Sequence, residues 1–599
     1  MKRAAFIIAL FACTAGSAAD PYAGYIYPSG IQAGTTNRFI IGGQNLWRLR
    51  GMHFSCGGLK AIEIKPVPNL QPPLGTQKRH LINWLDGIAG GVREEPPKPD
   101  GSHVGEWRSN VWYQALGSLD ALEISIVERY LFTPRNPLQA APSLRQMCIV
   151  EIAADAGLKP GTYDFSLWND AGISAPRPFL VTACPRAAEP LFRPSHRPET
   201  ETDVIKVESA GVVLDGQIMP GEIDRFRLYL AEGRRYVFKV VARELQPYVG
   251  DAVPGFFNAA ATVRNAEGRV VAFGDDTARF RPDPQFDFTP SASGVYTVEI
   301  HDVLYRGRAD FVYSLEVGPC AAASSATVRK PADESDAGEG VSRFAGVVQD
   351  TGGKAVSEFT VDRPGKRILE VFARRDGSSL DAVLTLRKAG DQRPLAVWDD
   401  TTNRFFIGTV AQAECDSVGE YDFTEPGRYI VEIRDRTGHG GEDYFWRLEV
   451  RRPNPGFEVY STRSTLPLYN GKPLTVDFVI VRKDGFDGKV TLEFPQDVTA
   501  AERTAASGVE RMTAMLIYTG RKPLDFNAVR IFARGTIRGK TLRKEVVACD
   551  EYEQAFAWRH LVPAKSFLLR AKPGRTARKK ENETKAGKLK KATTPGKRF

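Results

Sequence analysis

The sequence is poor in the side chains that most often carry catalysis. It contains only 7 His and 7 Cys among 599 residues, and no two cysteines form a Cys-x-x-Cys pair. The peptidase motif His-Glu-x-x-His and the hydrolase motif Gly-x-Ser-x-Gly are also absent. Zinc sites built on paired cysteines are therefore disfavoured, and we expect a protein that is not an enzyme.

Long apolar runs are confined to the first residues of the chain. Residues 1–3 are Met-Lys-Arg, an apolar run covers 4–12, and the small residues Ser17 and Ala19 follow. This three-part layout is typical of a secretory signal. We therefore expect a signal peptide over 1–19, cleavage near Ala19, and a secreted protein that is periplasmic, cell-surface or extracellular. Lipidation of Cys13 stays an open alternative. No later stretch reaches the roughly 18 apolar residues of a membrane helix.

The cysteines beyond the signal are widely spaced. In an oxidising compartment some of them can form disulfides, but the sequence does not choose among the pairings of Cys56, Cys148, Cys184, Cys320, Cys415 and Cys549.

The positive charge is concentrated at the end of the chain. Residues 572–599 hold eleven Lys or Arg and two Glu, which equals the whole net charge of +9. The rest of the chain is balanced, which argues against a folded, sequence-specific nucleic-acid-binding surface. With few apolar residues, 572–599 is expected to be a disordered basic tail. It has either no partner or an anionic one, such as a cell-surface polysaccharide.

An internal repeat is the most informative pattern. The segment Phe288 to Asp302 is echoed by Phe423 to Asp435, and the two share the pattern Gly-x-Tyr-x-Val-x-Ile-x-Asp. Alternate apolar residues after a Gly turn indicate a half-buried strand. Two copies of one domain follow, each a sandwich of short strands.

Shifts in composition divide the chain further, and the fold class is all-β: tandem β-sandwich domains, immunoglobulin-like and jelly-roll-like. We expect an amino-terminal β domain over 20–184, a linker over 185–203, the first repeat over 204–320, a linker over 321–340, the second repeat over 341–452, and a carboxy-terminal immunoglobulin-like domain over 453–571.

The amino-terminal domain has a small insertion at about 66–142 whose pattern differs from its surroundings. Apolar spacings of three and four predict helices over 78–89 and 119–131. In the second segment Leu122, Ile124 and Ile126 also alternate, so a strand remains an alternative there.

The repeat resembles the bacterial pre-peptidase C-terminal (PPC) domain, a β-sandwich of secreted proteins. The resemblance rests on the Gly-x-Tyr element, on Leu380-Asp381 with the turn Asp399-Asp400, and on Asp275-Asp276 in the first copy. That copy departs from the pattern with Phe257-Asn258 in place of Leu-Asp. Through Gly34 and Gly42-Gly43-Gln44-Asn45-Leu46, the amino-terminal segment looks like an IPT/TIG domain. These resemblances imply export and architecture, and no reaction.

The acidic turns are the candidate metal site. Asp275 and Asp276 recur as Asp399 and Asp400, and Asp302 and Asp435 end the partner strand in each copy. Carboxylate oxygens at converging loops are ligands for Ca²⁺, which takes about six to eight oxygens. The alternative is that these aspartates cap their own turns.

The sequence thus predicts a secreted, non-enzymatic structural or binding protein of the cell envelope or exterior. One alternative is an accessory or cryptic component of a secreted hydrolase or peptidase system, with chemistry in the insertion at His80, Asp86, His103, Glu106 or Asp120. Another is a polyanion binder that acts through 572–599.

Overall fold

A computed structural model describes residues 19–68, 70, 73, 75–97, 110–132, 141–189, 204–208, 211–248, 255–276, 283–319, 341–400, 406–407, 416–554 and 558–574. Within these ranges the chain is built of β-sheets, and its three α-helices all lie in the predicted insertion. The all-β prediction with a small helical insertion is confirmed.

The amino-terminal domain is a sandwich of two four-stranded sheets, ordered β1-β3-β6-β5 and β2-β8-β7-β4. Its core lies between the sheets and includes Phe39, Phe165 and Phe179, all fully buried. The strands are β1 (Tyr22–Tyr27), β2 (Gly30–Gln32), β3 (Thr36–Gln44), β4 (Gly51–Phe54), β5 (Leu59–Pro66), β6 (Gln146–Ala154), β7 (Gly161–Trp168) and β8 (Arg177–Thr182).

Between β5 and β6 the chain forms the helices α1 (Gly75–Ala89), α2 (Val111–Gln114) and α3 (Ala121–Phe132), with short 3-10 turns at Leu116–Ser118 and Pro142–Leu144. The helical interpretation of 119–131 is confirmed over the strand alternative. Asp120 and Glu123 explain the choice: Asp120 Oδ1 accepts from the Glu123 amide at 2.9 Å, and Glu123 Oε2 accepts from the Asp120 amide at 3.3 Å. This reciprocal capping satisfies two amides at the helix start.

The first repeat is a sandwich of two five-stranded sheets, ordered β10-β12-β17-β14-β15 and β16-β13-β18-β11-β9. Strand β9 lies inside the interval predicted as a linker and pairs in parallel with β11. The strands are β9 (Arg186–Ala188), β10 (Ile205–Lys206), β11 (Val212–Gln217), β12 (Asp224–Leu230), β13 (Tyr236–Val241), β14 (Ala259–Arg264), β15 (Val270–Gly274), β16 (Gln285–Phe288), β17 (Gly294–Asp302) and β18 (Val312–Val317).

The second repeat has two four-stranded sheets, ordered β19-β27-β21-β25 and β20-β26-β22-β23. Its short strand β24 joins β39 of the next domain in parallel. The strands are β19 (Val341–Val347), β20 (Ala355–Val361), β21 (Gly365–Phe372), β22 (Ala382–Lys388), β23 (Pro394–Trp398), β24 (Phe406–Ile407), β25 (Val418–Phe423), β26 (Gly427–Asp435) and β27 (Phe445–Arg451), with a 3-10 turn at Arg374–Asp376.

The two repeats match in detail beyond their strand order. Tyr296 Oη donates to the carbonyl four residues earlier at 2.9 Å, and Tyr429 Oη does the same at 2.9 Å. On the outer faces, Glu299 pairs with Arg225 and Arg264, as Glu432 pairs with Lys354 and Arg387. The register also agrees, because Ala259 faces Asp302 and Ala382 faces Asp435.

The carboxy-terminal domain is built from four small sheets around a core that includes Phe457, Phe478 and Phe567. The sheet orders are β28-β30-β34-β32, β33-β31-β36-β37, β29-β40-β35 and β24-β39-β38. The strands are β28 (Gly456–Ser461), β29 (Thr465–Tyr469), β30 (Leu474–Lys483), β31 (Val490–Glu493), β32 (Val498–Ala500), β33 (Thr504–Ala505), β34 (Arg511–Tyr518), β35 (Leu524–Val529), β36 (Phe532–Ile537), β37 (Lys540–Glu545), β38 (Cys549–Gln554), β39 (Trp558–Pro563) and β40 (Phe567–Lys572).

The amino-terminal domain contacts both the first repeat and the carboxy-terminal domain. Against the repeat, the Ser29 hydroxyl donates to Asp215 Oδ1 at 2.7 Å, and Arg186 pairs with the same carboxylate at 2.6 Å. At the meeting of all three domains, the buried Arg177 lies 5.2 Å from the ring of Tyr552 and 5.9 Å from that of Tyr248. The amino-terminal domain therefore contacts a domain that is distant in sequence as well as the one that follows it.

The described cysteines are of two kinds, one disulfide-bonded and the others free. Cys184 is disulfide-bonded, and its partner lies outside the described residues, as do Cys320 and Cys415. Cys56, Cys148 and Cys549 are free thiols. The described part of the chain contains no helix that is both long and apolar enough to span a bilayer.

Candidate functional site

The acidic turn of the second repeat brings three carboxylates together. Asp399 and Asp400 follow β23, and Asp381 precedes the neighbouring strand β22. One oxygen from each of the three side chains lies within 4.8 Å of the others. Such a group offers oxygen ligands of the kind that Ca²⁺ prefers, although three carboxylates supply only part of its usual shell.

Asp435 holds this cluster in place without joining it. Its side chain is 2% exposed and accepts from the amides of Asp381 at 2.9 Å, Thr437 at 3.0 Å and His439 at 3.0 Å. The Thr437 hydroxyl donates to it as well, at 2.6 Å. Burial opposes ionisation, but these hydrogen bonds outweigh it and lower the pKa of Asp435. Asp435 therefore organises the loop, as in the turn-capping alternative.

Charge repulsion is built into the cluster. Burial and then the charge of Asp400 raise the pKa of Asp381, and burial and then the charge of Asp399 raise the pKa of Asp400. Oδ1 of Asp381 is buried and has no hydrogen-bond partner in the part of the chain that the structure describes. Arg436 supplies the nearby cation, with Nη1 at 3.2 Å from Asp400 and 3.6 Å from Asp399. A bound divalent cation would compete with this guanidinium.

The first repeat carries the corresponding turn with one carboxylate replaced. Asn258 takes the place of Asp381, and its amide donates to Asp302 at 3.0 Å just as the Asp381 amide donates to Asp435. Asp302 is fully buried, and hydrogen bonds from Arg306 outweigh the effect of burial to lower its pKa. Asp275 and Asp276 follow β15 at the positions of Asp399 and Asp400. The first copy thus has one carboxylate fewer.

Other residues near the acidic turn and in the insertion make contacts that stabilise the fold. The ring of Trp398, which precedes the acidic turn, packs over Gly419 against the core of the second repeat. In the insertion, buried His80 lies 3.1 Å from Glu95, and Asp120 caps α3. His103, Glu106 and nearly all of the basic tail lie outside the described residues.

A cleft of about 560 Å³ lies between the amino-terminal and carboxy-terminal domains, and sequence reasoning did not find it. Cys56 and His53 line it from one side and Phe526 from the other. The rings of His53 and Phe526 stack with centroids 4.6 Å apart, and burial lowers the pKa of the histidine. Phe526 has φ of 43°, which is unusual for a bulky residue and marks a strained contact between domains.

Taken together, the sheets define a multidomain protein of β-sandwich modules. Among solved structures, the chain is similar to crystal structures of the N-terminal four Ig domains of Dscam1. Isoform 4.44 matches at 9% identity over 68% of this chain and 86% of that chain, with a TM-score of 0.11. Isoform 9.44 matches at 11% identity over 67% and 84%, with a TM-score of 0.12. No protein-family model and no curated protein matches the chain.

Proposed function

We propose that this protein is an exported, non-enzymatic structural or binding protein whose sandwich modules are held together as one body. The supporting observation is the contact between domains distant in sequence. Tyr22 Oη lies 2.8 Å from Tyr248 Oη, and Arg463 pairs with Asp20 at 2.6 Å. Domains in fixed orientations present their surfaces at defined spacings. Such an arrangement is better suited to binding or scaffolding than domains on flexible linkers are.

The PPC-like and IPT/TIG-like assignments belong to the same proposal. The equivalent placement of Asp302 and Asp435 supports a common domain type for the two repeats. The disulfide at Cys184 supports an oxidising compartment. The domain boundaries remain those expected from composition, with β9 as a strand inside the first linker.

Cell fractionation tests the export claim. A chain that lacks residues 1–19 should stay in the cytoplasm, whereas the full chain should be exported. Equal secretion of both forms would contradict the proposal.

The enzymatic alternative is tested by a screen of the mature chain against peptide, ester and glycoside substrates. Asp86→Ala, in α1, is the informative variant, because His80 and Asp120 contribute to the fold. We expect no turnover by either protein. Turnover that Asp86→Ala abolishes without lowering thermal stability would overturn the non-enzymatic assignment.

The polyanion alternative is tested by truncation. Strand β40 ends at Lys572, so removal of 575–599 spares the last strand. If the tail is the binding element, retention on heparin should be lost with it and should weaken steeply with salt. Retention unchanged by the truncation would exclude the tail as the binding element.

A second candidate function is binding of Ca²⁺ by the second repeat, supported by the convergence of Asp381, Asp399 and Asp400. Calorimetric titration of the metal-stripped mature chain tests it. We expect saturable binding that Asp399→Ala with Asp400→Ala abolishes. Binding to the native state should also raise the melting temperature.

The first repeat provides the matched control, because Asp275→Ala with Asp276→Ala changes the same turn where Asn258 replaces the third carboxylate. We expect that variant to bind as the wild type does. Arg436→Gln should strengthen binding, since it removes the competing cation. Absence of any calcium-dependent heat would leave all of these aspartates as turn-forming residues.

A further inference from the structure

A small pocket between the helical insertion and the first repeat contains two guanidinium groups. Its volume is about 160 Å³, close to the roughly 150 Å³ of an engineered apolar cavity that holds benzene. Apart from Arg129 and Arg308, its lining is mostly apolar and includes Leu144, Met147 and Met219.

Arg129 is the more unusual of the two. It lies in the last turn of α3, is 8% exposed, and has a buried Nη1 with no hydrogen-bond partner in the described part of the chain. A buried cation without a counter-ion is costly, because desolvation is not offset by an opposite charge. This environment favours an incoming anion.

Arg308 reaches the pocket from the first repeat and is held by its other contacts. Its Nε pairs with Asp310 Oδ1 at 2.9 Å, and its guanidinium lies 4.6 Å from the ring of Phe256. Asp310 is itself fixed by the Ser143 hydroxyl at 2.6 Å. Nη2 of Arg308 is buried and has no hydrogen-bond partner among the described residues. No carboxylate is among the described residues that line the pocket.

We propose that this pocket binds a small organic carboxylate with an apolar body, about the size of benzoate. The carboxylate accepts hydrogen bonds from Arg129 and Arg308, because a guanidinium is a strong, charge-assisted donor to planar oxyanions. The apolar body lies against Leu144, Met147 and Met219, whose flexible thioethers adapt to different shapes. Because the two arginines come from different domains, the ligand would also join the insertion to the first repeat.

Calorimetric titration of benzoate into the mature full-length chain tests the proposal, with benzamide as a neutral ligand of the same shape. We expect one benzoate per chain, benzamide at least tenfold weaker, and a rise in melting temperature with benzoate. Arg129→Met should weaken benzoate at least tenfold. Arg530→Met, at an exposed arginine of the carboxy-terminal domain, is the matched control and should bind as the wild type does.

Met219→Phe fills the pocket and keeps both arginine charges. It therefore tests benzoate binding if Arg129→Met does not fold. It should abolish binding of benzoate. The proposal is overturned if benzoate does not bind the wild type, if benzamide binds equally well, or if benzoate affinity is unchanged in the folded pocket variants.

Discussion

Replacement of Asp215 by alanine should loosen the junction between the amino-terminal domain and the first repeat. Asp215 is fully buried, and its partner Arg186 has a side chain that is only 8% exposed. Arg186 binds the carboxylate through two nitrogens, at 2.6 and 3.1 Å. The hydroxyls of Ser29 and Ser314 each donate to the same oxygen at 2.7 Å.

The expected magnitude follows from what the substitution leaves behind. Asp215→Ala removes the acceptor for two hydroxyls and leaves the Arg186 charge buried and unpaired. Removal of one partner from a buried ion pair costs about 3–5 kcal/mol. Glu545→Ala is the control, because its pair with Arg530 is largely exposed and such pairs contribute roughly 0–1 kcal/mol.

Hydrogen exchange of the mature chain measures this effect locally, and urea unfolding measures it globally. Amides of β2 and β11 should exchange roughly 100- to 4,000-fold faster in Asp215→Ala, since each 1.4 kcal/mol is about tenfold. Protection of both strands should fall together because the junction joins them. A cost below about 1 kcal/mol, equal to that of Glu545→Ala, would refute the assignment of Asp215 as the centre of this junction.

Two further predictions concern groups with shifted pKa values. Burial, and then the charge of Glu222, raise the pKa of Asp224 to about 7. The folded chain therefore keeps a proton on Asp224 that the unfolded chain loses near pH 4. As a result, the free energy of unfolding falls as the pH rises from about 4 to 7. Asp224→Asn, which keeps an acceptor for Tyr313 Oη, should flatten that fall in melting temperature; an unchanged pH slope would contradict the shift. Phe526→Ala removes the ring that stacks on His53. The pKa of His53 should then rise towards its ordinary value of about 6.5, which nuclear magnetic resonance can follow. An unchanged pKa would mean that the ring of Phe526 is not what buries the histidine.

Local patterns predicted the modules because the physics that sets them is local. Period-2 alternation and Gly turns mark β17 and β26, and the repeat of those elements is visible in the letters alone. The strand alternative for α3 arose because Ile124 and Ile126 alternate. The capping pair Asp120 and Glu123 was the local signal that favours the helix.

The composition of the acidic cluster depended on a relation that the sequence does not display. Asp399 and Asp400 are adjacent, but Asp381 joins them only through the pairing of β22 with β23, in which Leu384 faces Trp398. Conversely, Asp435 ends its strand as expected, yet its oxygens accept several backbone hydrogen bonds. Whether a carboxylate is a ligand or a turn-forming acceptor depends on neighbours set by register.

Contacts between domains were the least predictable feature, and their chemistry explains both that fact and their role. Each sandwich buries its own apolar core, and the periodicity of a strand reports that a face is buried without saying which domain covers it. One junction is apolar, because buried residues of the helical insertion form a single cluster with Val241, Leu245 and Val312 of the first repeat. The junctions also use polar and aromatic side chains such as Arg177, Asp215 and Tyr552, which resemble surface residues in a sequence. Buried polar contacts require exact partners, and so they fix orientation more than they add stability. The modules are therefore stable by their cores and oriented by both kinds of contact. Substitution of the polar junction residues should alter the arrangement of domains and leave each domain folded.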